Sequence, residues 1–128
     1  MRVILYLTLE EVLELHKTLL QRFGGKHGVR DLGLLESALR RPQSGYYESL
    51  SLQTAALLQS LTQNHAFIDG NKRVAFAATA IFVRMNNFRL KVDADTAEDF
   101  IINDLIQKKV ELEQIADWLE KYFVAIEK

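Results

Sequence analysis

His65-Ala66-Phe67-Ile68-Asp69-Gly70-Asn71-Lys72-Arg73, running directly into the apolar stretch from Val74 to Met85, is the part of this chain around which the rest is arranged. The apolar stretch is alanine-rich and hydrophobic on nearly every side. It therefore reads as a helix, Asn71 to Asn86, that other helices surround. A loop rich in donors that opens straight into a helix is an anion site, because the first-turn N–H groups and the positive end of the dipole point at whatever sits there. Gly70 lets backbone approach a ligand without a Cβ in the way, and Lys72 and Arg73 add full positive charge. Asp69 brings the hard oxygen that Mg²⁺ prefers, although the same carboxylate could serve as a plain N-cap. His65 can take a proton near neutral pH. Phe67 is expected to bury its ring and pin the loop, leaving His65 and Asp69 outward on alternate sides. Phosphate cradle, metal ligand and base in one place point to phosphoryl or nucleotidyl transfer.

Upstream, Thr8 and Glu11 have capping-box spacing. Leu9, Val12, Leu13, His16, Leu19, Leu20 and Phe23 then recur at helical intervals until Gly24-Gly25 stops the helix. His16 falls on the apolar face and is expected to be a hydrogen-bonded core histidine, whereas His27 sits in a glycine-flanked exposed loop. Asp31 is the expected N-cap of a helix from Leu32 to Arg40, ended by Arg41-Pro42. Arg30 and Asp31 either pair with each other or position the neighbouring loop, and the structural pairing is favoured. From Gln43 to Leu50 the pattern is lost. Tyr46 and Tyr47 lie in this flap, expected to cover the edge of the core, with a docking role as the alternative. Ser51 is expected to cap a third helix that carries Leu52, Ala55, Ala56, Leu58 and Leu61 and runs out near Asn64.

Downstream, Asn86-Asn87 suits the left-handed turn that ends a helix. Phe88 to Asp93 alternates as a short extended connection, one edge strand or none. Asp95 and Glu98 offer a second capping box for a helix through Gln107, with Lys108-Lys109 at its C-terminus. A last helix is expected from Glu111 to Ile126, with Leu112, Ile115, Ala116, Leu119, Tyr122, Phe123 and Ile126 on one face and Trp118 packing. The outcome is one all-α domain over residues 1–128, a bundle of about six helices around the helix that begins at Asn71.

Composition narrows the function classes. A chain of 128 residues with 48% apolar and 26% charged residues is an ordinary globular domain. The net charge of −1 gives no overall basic field for nucleic acid, so no direct nucleic-acid partner is expected. With no cysteine there is no disulfide, no thiolate nucleophile and no zinc–cysteine site. The N-terminal apolar run is too short for a signal peptide, and none approaches the roughly 20 residues that span a bilayer. A cytoplasmic protein without a membrane partner is expected.

The order His65-Ala66-Phe67-Ile68-Asp69-Gly70-Asn71-Lys72-Arg73 resembles the H-x-F-x-[D/N]-[A/G]-N-K-R signature of the Doc (death-on-curing) toxins within the Fic superfamily. Gly24-Gly25, Gly28-Val29-Arg30-Asp31 and Gly33-Leu34-Leu35-Glu36-Ser37-Ala38 also look like Doc sequence, so the likeness covers almost the whole chain. The resemblance implies an all-α Fic/Doc-like fold and a toxin of a Phd/Doc-type toxin–antitoxin module. It implies ATP as co-substrate, Mg²⁺, phosphorylation of a threonine of elongation factor Tu, and neutralisation by a Phd-like antitoxin that folds into an apolar groove. Carried over by position, His65 is the base, Asp69 the metal-binding carboxylate, and Gly70, Asn71, Lys72 and Arg73 the phosphate contacts. Related Fic enzymes carry H-P-F-x-x-G-N-G-R and transfer AMP to a protein hydroxyl. Lys72 replaces their second glycine, which disfavours that pose and points to phosphoryl transfer. A catalytically silent antitoxin-binding module is the third reading, against which the intact His65, Asp69 and Lys72 stand. Gln63-Asn64 stand where the best-known Doc pattern has an arginine and a glycine, so one positive charge fewer is expected beside His65.

Overall fold

In the computed structural model, which describes residues 3–126, the helices follow the apolar periodicity closely in the first half of the chain and less closely in the second. Helix α1 (Leu9–Phe23) starts at a complete capping box between Thr8 and Glu11. Its N–H at Gly24 closes on Leu20 O. Helix α2 (Leu32–Arg40) is capped by Asp31, whose Oδ1 accepts from Leu34 N at 3.0 Å, and passes into a 3-10 turn at Arg41–Gln43. Helix α3 (Leu50–Gln63) begins two residues earlier than expected. Its cap is Ser49, which accepts from Leu52 N, while Ser51 lies buried inside the first turn. A serine pair two residues apart satisfies either register, and the burial of Ser51 decides for Ser49.

Helix α4 (Asn71–Met85) buries Val74, Ala75, Ala78, Thr79, Phe82 and Val83. It is not enclosed on every side, since Ile81 is 39% exposed. The helix with more buried residues is α3, ten of its fourteen, so the centre of the fold is the α3–α4 pair rather than α4 alone. Small residues on both helices permit the close approach. Around the pair, Val12, Leu35, Leu58, Leu105, Ile115 and Leu119 are completely buried in one shared core. Each such side chain contributes about 1.5–3 kcal/mol by leaving water.

After α4 the chain departs from the periodic reading. Asn87 takes the left-handed turn (φ 73°), as expected. Strand β1 (Phe88–Leu90) then pairs antiparallel with β2 (Phe123–Ala125), setting Phe88 opposite Ala125 and Leu90 opposite Phe123. The last helix, α6 (Leu112–Glu120), therefore stops short of Ile126. Phe123 fits a helical face and a strand equally well over so few residues. The ring of Phe88, 5.5 Å from that of Phe123, settles the choice through a partner distant in sequence. Between them, α5 (Ala94–Asp99) starts at Asp93 without a side-chain cap, so the Asp95–Glu98 box does not form. It widens into a π-helical segment, Phe100–Lys108, that ends in left-handed Lys109. Phe100 stacks on Trp118 at 4.0 Å, confirming the tryptophan as a packing residue. Among the described residues no helix is long and apolar enough to cross a membrane.

Asn86 ties the amino-terminal segment to this frame. It is 1% exposed, accepts from Leu5 N at 2.8 Å, and donates to Leu5 O at 2.9 Å and Phe82 O at 2.8 Å. Replacing it by alanine leaves main-chain groups unpartnered, so Asn86→Ala is expected to cost about 1–3 kcal/mol in urea unfolding without loss of helical circular dichroism.

Candidate active site

The loop between α3 and α4 is held from three directions before any ligand enters. From the amino-terminal side, residues 28–31 run antiparallel to it. Arg30 N and Asp31 N both donate to Ala66 O (2.7 and 3.0 Å), Ile68 N donates to Gly28 O (3.1 Å), and Val29 faces Phe67 across an isolated bridge. The Arg30 guanidinium donates to His65 O through Nε (2.9 Å) and reaches Asn64 O at 3.4 Å. Arg30 thus positions the loop and makes no ion pair with Asp31, whose carboxylate caps α2. This corrects the expected pairing, because an unpaired loop carbonyl and an uncapped helix each draw one of the two charges. His65 itself sits at φ 50°, a left-handed conformation that costs a histidine energy and that the Arg30 bonds sustain.

From beneath, His16 supports the loop. Its ring is 4% exposed, stacks on Phe67 at 3.8 Å and 18°, and its Nε2 lies 2.8 Å from Asp69 O. A carbonyl only accepts, so Nε2 carries the proton and the ring pins the peptide that precedes Gly70. Phe67 is buried as expected, at 2% exposure. From within, Asn71 closes the turn: Oδ1 accepts from Phe67 N (3.0 Å) and Nδ2 donates to Phe67 O (2.9 Å). Its side chain is thereby committed to the loop, and what Asn71 offers a ligand is its main-chain N–H.

Gly70 then opens α4. It is the N-cap, left-handed at φ 78°, and no side chain caps the helix. The first intrahelical bond is Val74 N to Gly70 O, so the N–H groups of Asn71, Lys72 and Arg73 have no helical acceptor. With the dipole behind them they form an anion cradle. Lys72 and Arg73 are exposed beside it, and the Arg73 guanidinium lies 4.4 Å from the ring centroid of Phe23 at the end of α1.

Asp69 is not the helix cap. Its Oδ2 accepts from Lys26 N (3.0 Å) and its Oδ1 from Gly70 N (2.9 Å). The Lys26 bond, then the Gly70 bond, hold its carboxyl below the ordinary value of 3.8, helped by the charges of Lys26 and Arg73, against a smaller opposing effect of desolvation. The approach is close enough that a Cβ on Gly25 (φ 123°) would lie 2.9 Å from Asp69 Oδ2, which explains Gly25, while Gly24 is suited to its own positive φ of 83°. Among the described residues no group of three or more acidic or imidazole side chains could hold a metal. Asp69 is instead a single ionised oxygen donor beside a phosphate cradle. That is the donor set on which Mg²⁺ relies when phosphates and water complete its shell. His65 is exposed, and none of the hydrogen bonds among the described residues involves its ring.

All six sequence-derived residues, His65, Asp69, Gly70, Asn71, Lys72 and Arg73, therefore share one turn. Sequence reasoning expected a hydrogen-bonded His16 and weighed Arg30 as a loop-positioning residue. It did not supply their partners, Asp69 O and His65 O, and missed the Lys26 amide; the glycine spacing at Gly24, Gly25 and Gly28 was the available signal. The side chains of His65, Ile68, Asp69, Lys72 and Arg73 are all exposed. Clefts of about 470 Å³ beside Leu9 and Leu39, and about 260 Å³ beside Arg84 and Arg89, lie elsewhere and include none of residues 65–73.

Two measurements check this geometry. A carbon-detected NMR titration is expected to place the Asp69 midpoint below 3.8. A carboxyl depressed by folding stabilises the fold above its unfolded value and ceases to do so as pH falls through the folded one, so Asp69 adds stability at neutral pH that is lost only under acid. Asn71→Ala removes both bonds to Phe67, and is expected to cost about 1–3 kcal/mol and to speed amide exchange at Phe67.

Comparison with known proteins places these residues in a lineage. Residues 6–83 match the Fic/DOC family model. The chain is 43% identical to Toxin Doc of Mycolicibacterium smegmatis over 110 residues, covering 80% of this chain and 84% of that protein. It is 28% identical to Protein kinase doc of Escherichia phage P1 over 122 residues, covering 92% of this chain and 95% of the other. A family match over more than half the chain, with the anion cradle of α4 inside the matched span, means that this protein belongs to the Fic/DOC family.

Proposed function

We propose that this protein is a toxin of a toxin–antitoxin module that transfers the γ-phosphoryl group of ATP to a threonine or serine hydroxyl of a translation factor, elongation factor Tu by resemblance. The observation that carries this reading is the uncapped start of α4, opened by Gly70, together with the exposed Lys72, Arg73 and His65, whose ring none of the hydrogen bonds among the described residues engages. The relatives named Toxin Doc and Protein kinase doc support the toxin role and the kinase role in turn. A Phd-like antitoxin is the partner that such a module requires.

The chemistry divides among this chain's own groups. The main-chain N–H groups of Asn71, Lys72 and Arg73 orient the phosphates, and the two cations neutralise charge that spreads over the transferring oxygens. His65 takes the proton of the acceptor hydroxyl as its oxygen bonds to the γ-phosphorus. The bond from that phosphorus to the β,γ-bridging oxygen breaks, and ADP leaves. Asp69 would hold Mg²⁺, which would supply charge neutralisation to the phosphates. The Lys72 side chain stands where the AMP-transferring relatives have glycine, which disfavours their nucleotide pose. The positive charge missing at Gln63-Asn64 has a counterpart in Arg30, whose guanidinium lies on the carbonyls of Asn64 and His65. The openness of the site favours a protein acceptor, since a small alcohol is held in a concave pocket.

Incubation with elongation factor Tu and ATP labelled at either the α- or the γ-phosphate tests the reaction class. Label from the γ position alone is expected; label from the α position alone would establish AMP transfer instead. His65→Ala is expected to lower the rate by about 10²–10⁴-fold and to abolish growth inhibition, and undiminished toxicity would leave only a silent binding module.

A further inference from the structure

We propose that the surface ringing the loop is a docking site for an acidic segment with apolar side chains in the protein substrate, a reading of partner chemistry that rests on the phosphoryl-transfer reading for its consequence. Five large apolar side chains lie exposed there: Phe23 (56%), Val29 (38%), Leu32 (46%), Leu34 (37%) and Ile68 (54%). They sit on segments already joined by contact. Arg73 lies over Phe23, the Ile68 side chain lies against Gly28, Val29 bridges Phe67, and the Asn64 amide donates to Leu34 O at 3.3 Å. Leu32 opens α2 directly after Asp31. Single exposed apolar residues need no explanation, but five on segments that contact one loop mark an interaction surface.

The same surface is electrically one-sided. Arg22, Lys26, Lys72 and Arg73 are exposed, and among the described residues the ion pairs are Arg40–Glu36 and Lys108–Asp104, which involve none of them. Residues 22–31 and 64–73 carry five cations against two carboxylates, a surplus of three positive charges in a chain whose total is −1. Both carboxylates are occupied, Asp31 by Leu34 N and Asp69 by Lys26 N and Gly70 N. A bound nucleotide engages Lys72 and Arg73, the charge of Lys26 acts on Asp69, and the exposed Arg22 remains for a partner. Such a field steers an acidic partner and fixes its register.

The apolar component decides between protein and nucleic acid. Strand-binding surfaces present aromatic faces on which bases stack. Four of the five side chains here are aliphatic, and the fifth, Phe23, already has the Arg73 guanidinium over its ring. Aliphatic groups interleaved with cations match apolar side chains interleaved with carboxylates.

The test uses the whole protein, a short fluorescent peptide in which glutamate and leucine flank a threonine, the same peptide with lysine for glutamate, and single-stranded RNA of equal length. Fluorescence anisotropy is expected to show binding of the acidic peptide over the other two. Leu32→Ser with Leu34→Ser, and separately Arg22→Glu, should each weaken it by about tenfold or more while melting temperature and MgATP affinity stay unchanged. The same variants, expressed in cells, should restore growth. Arg22→Glu changes an exposed side chain, so it carries the test should the apolar pair unfold the protein. No peptide binding, equal binding of the lysine peptide, preference for RNA, or undiminished growth inhibition by the variants overturns the proposal. Intact peptide binding together with failure of γ-phosphoryl transfer would instead sink the phosphoryl-transfer reading and leave the docking surface standing.

Discussion

Everything at the site depends on the antiparallel contact between residues 28–31 and 66–68. Those few main-chain bonds, closed by Arg30 on His65 O, hold a loop that has no helix or sheet of its own. A loop free to relax would leave the left-handed turn at His65 and let Gly70 fold into the helix, covering the N–H groups that α4 now presents. The energy for holding it open comes from main-chain bonds, from bonds of Arg30 and Asp69 to main-chain groups, and from packing. The ion pairs among the described residues lie elsewhere. The charged groups at the surface therefore remain available to a ligand.

The support beneath the loop has a further consequence. His16 belongs to α1, Phe67 to the loop, and both pack toward the core that α3 and α4 share. The stack of imidazole on phenyl, with Nε2 on Asp69 O, joins the position of the reactive segment to the docking of α1 against the rest. Rigid elements hold a site more accurately than a loop can hold itself. Here a flexible segment acquires that rigidity by being clamped to a helix more than fifty residues upstream. Asp69 gains in the same way: two main-chain donors aim its carboxylate and keep it ionised.

An open anion cradle also explains the contrast between an acidic chain and a basic site. The helix start supplies partial charge without side chains, and Lys72 and Arg73 supply the rest, so the protein concentrates positive potential at one point while remaining slightly negative as a whole.

Local rules sufficed where the information was local. The capping box at Thr8, the Asp31 cap, the turn at Asn87 and the gathering of His65, Asp69, Gly70, Lys72 and Arg73 at one helix start all follow from spacing within a few residues. So did the burial of His16 and Phe67, because periodicity places a side chain on a face. What periodicity cannot supply is the partner across space. Strand β2 replaced the end of a helix because Phe88–Leu90 stood beside it, and Arg30 turned to the loop because loop carbonyls lay within reach while Asp31 was needed at α2. The Asn71 side chain is committed only once Phe67 offers its amide both a donor and an acceptor, which leaves the main-chain N–H for the cradle. Residue types and their order settle which groups are present and which helix they begin. Which of those groups stay free for chemistry, and which are consumed in holding the others, is decided by contacts between segments far apart in the chain, and those exist only once the core has closed.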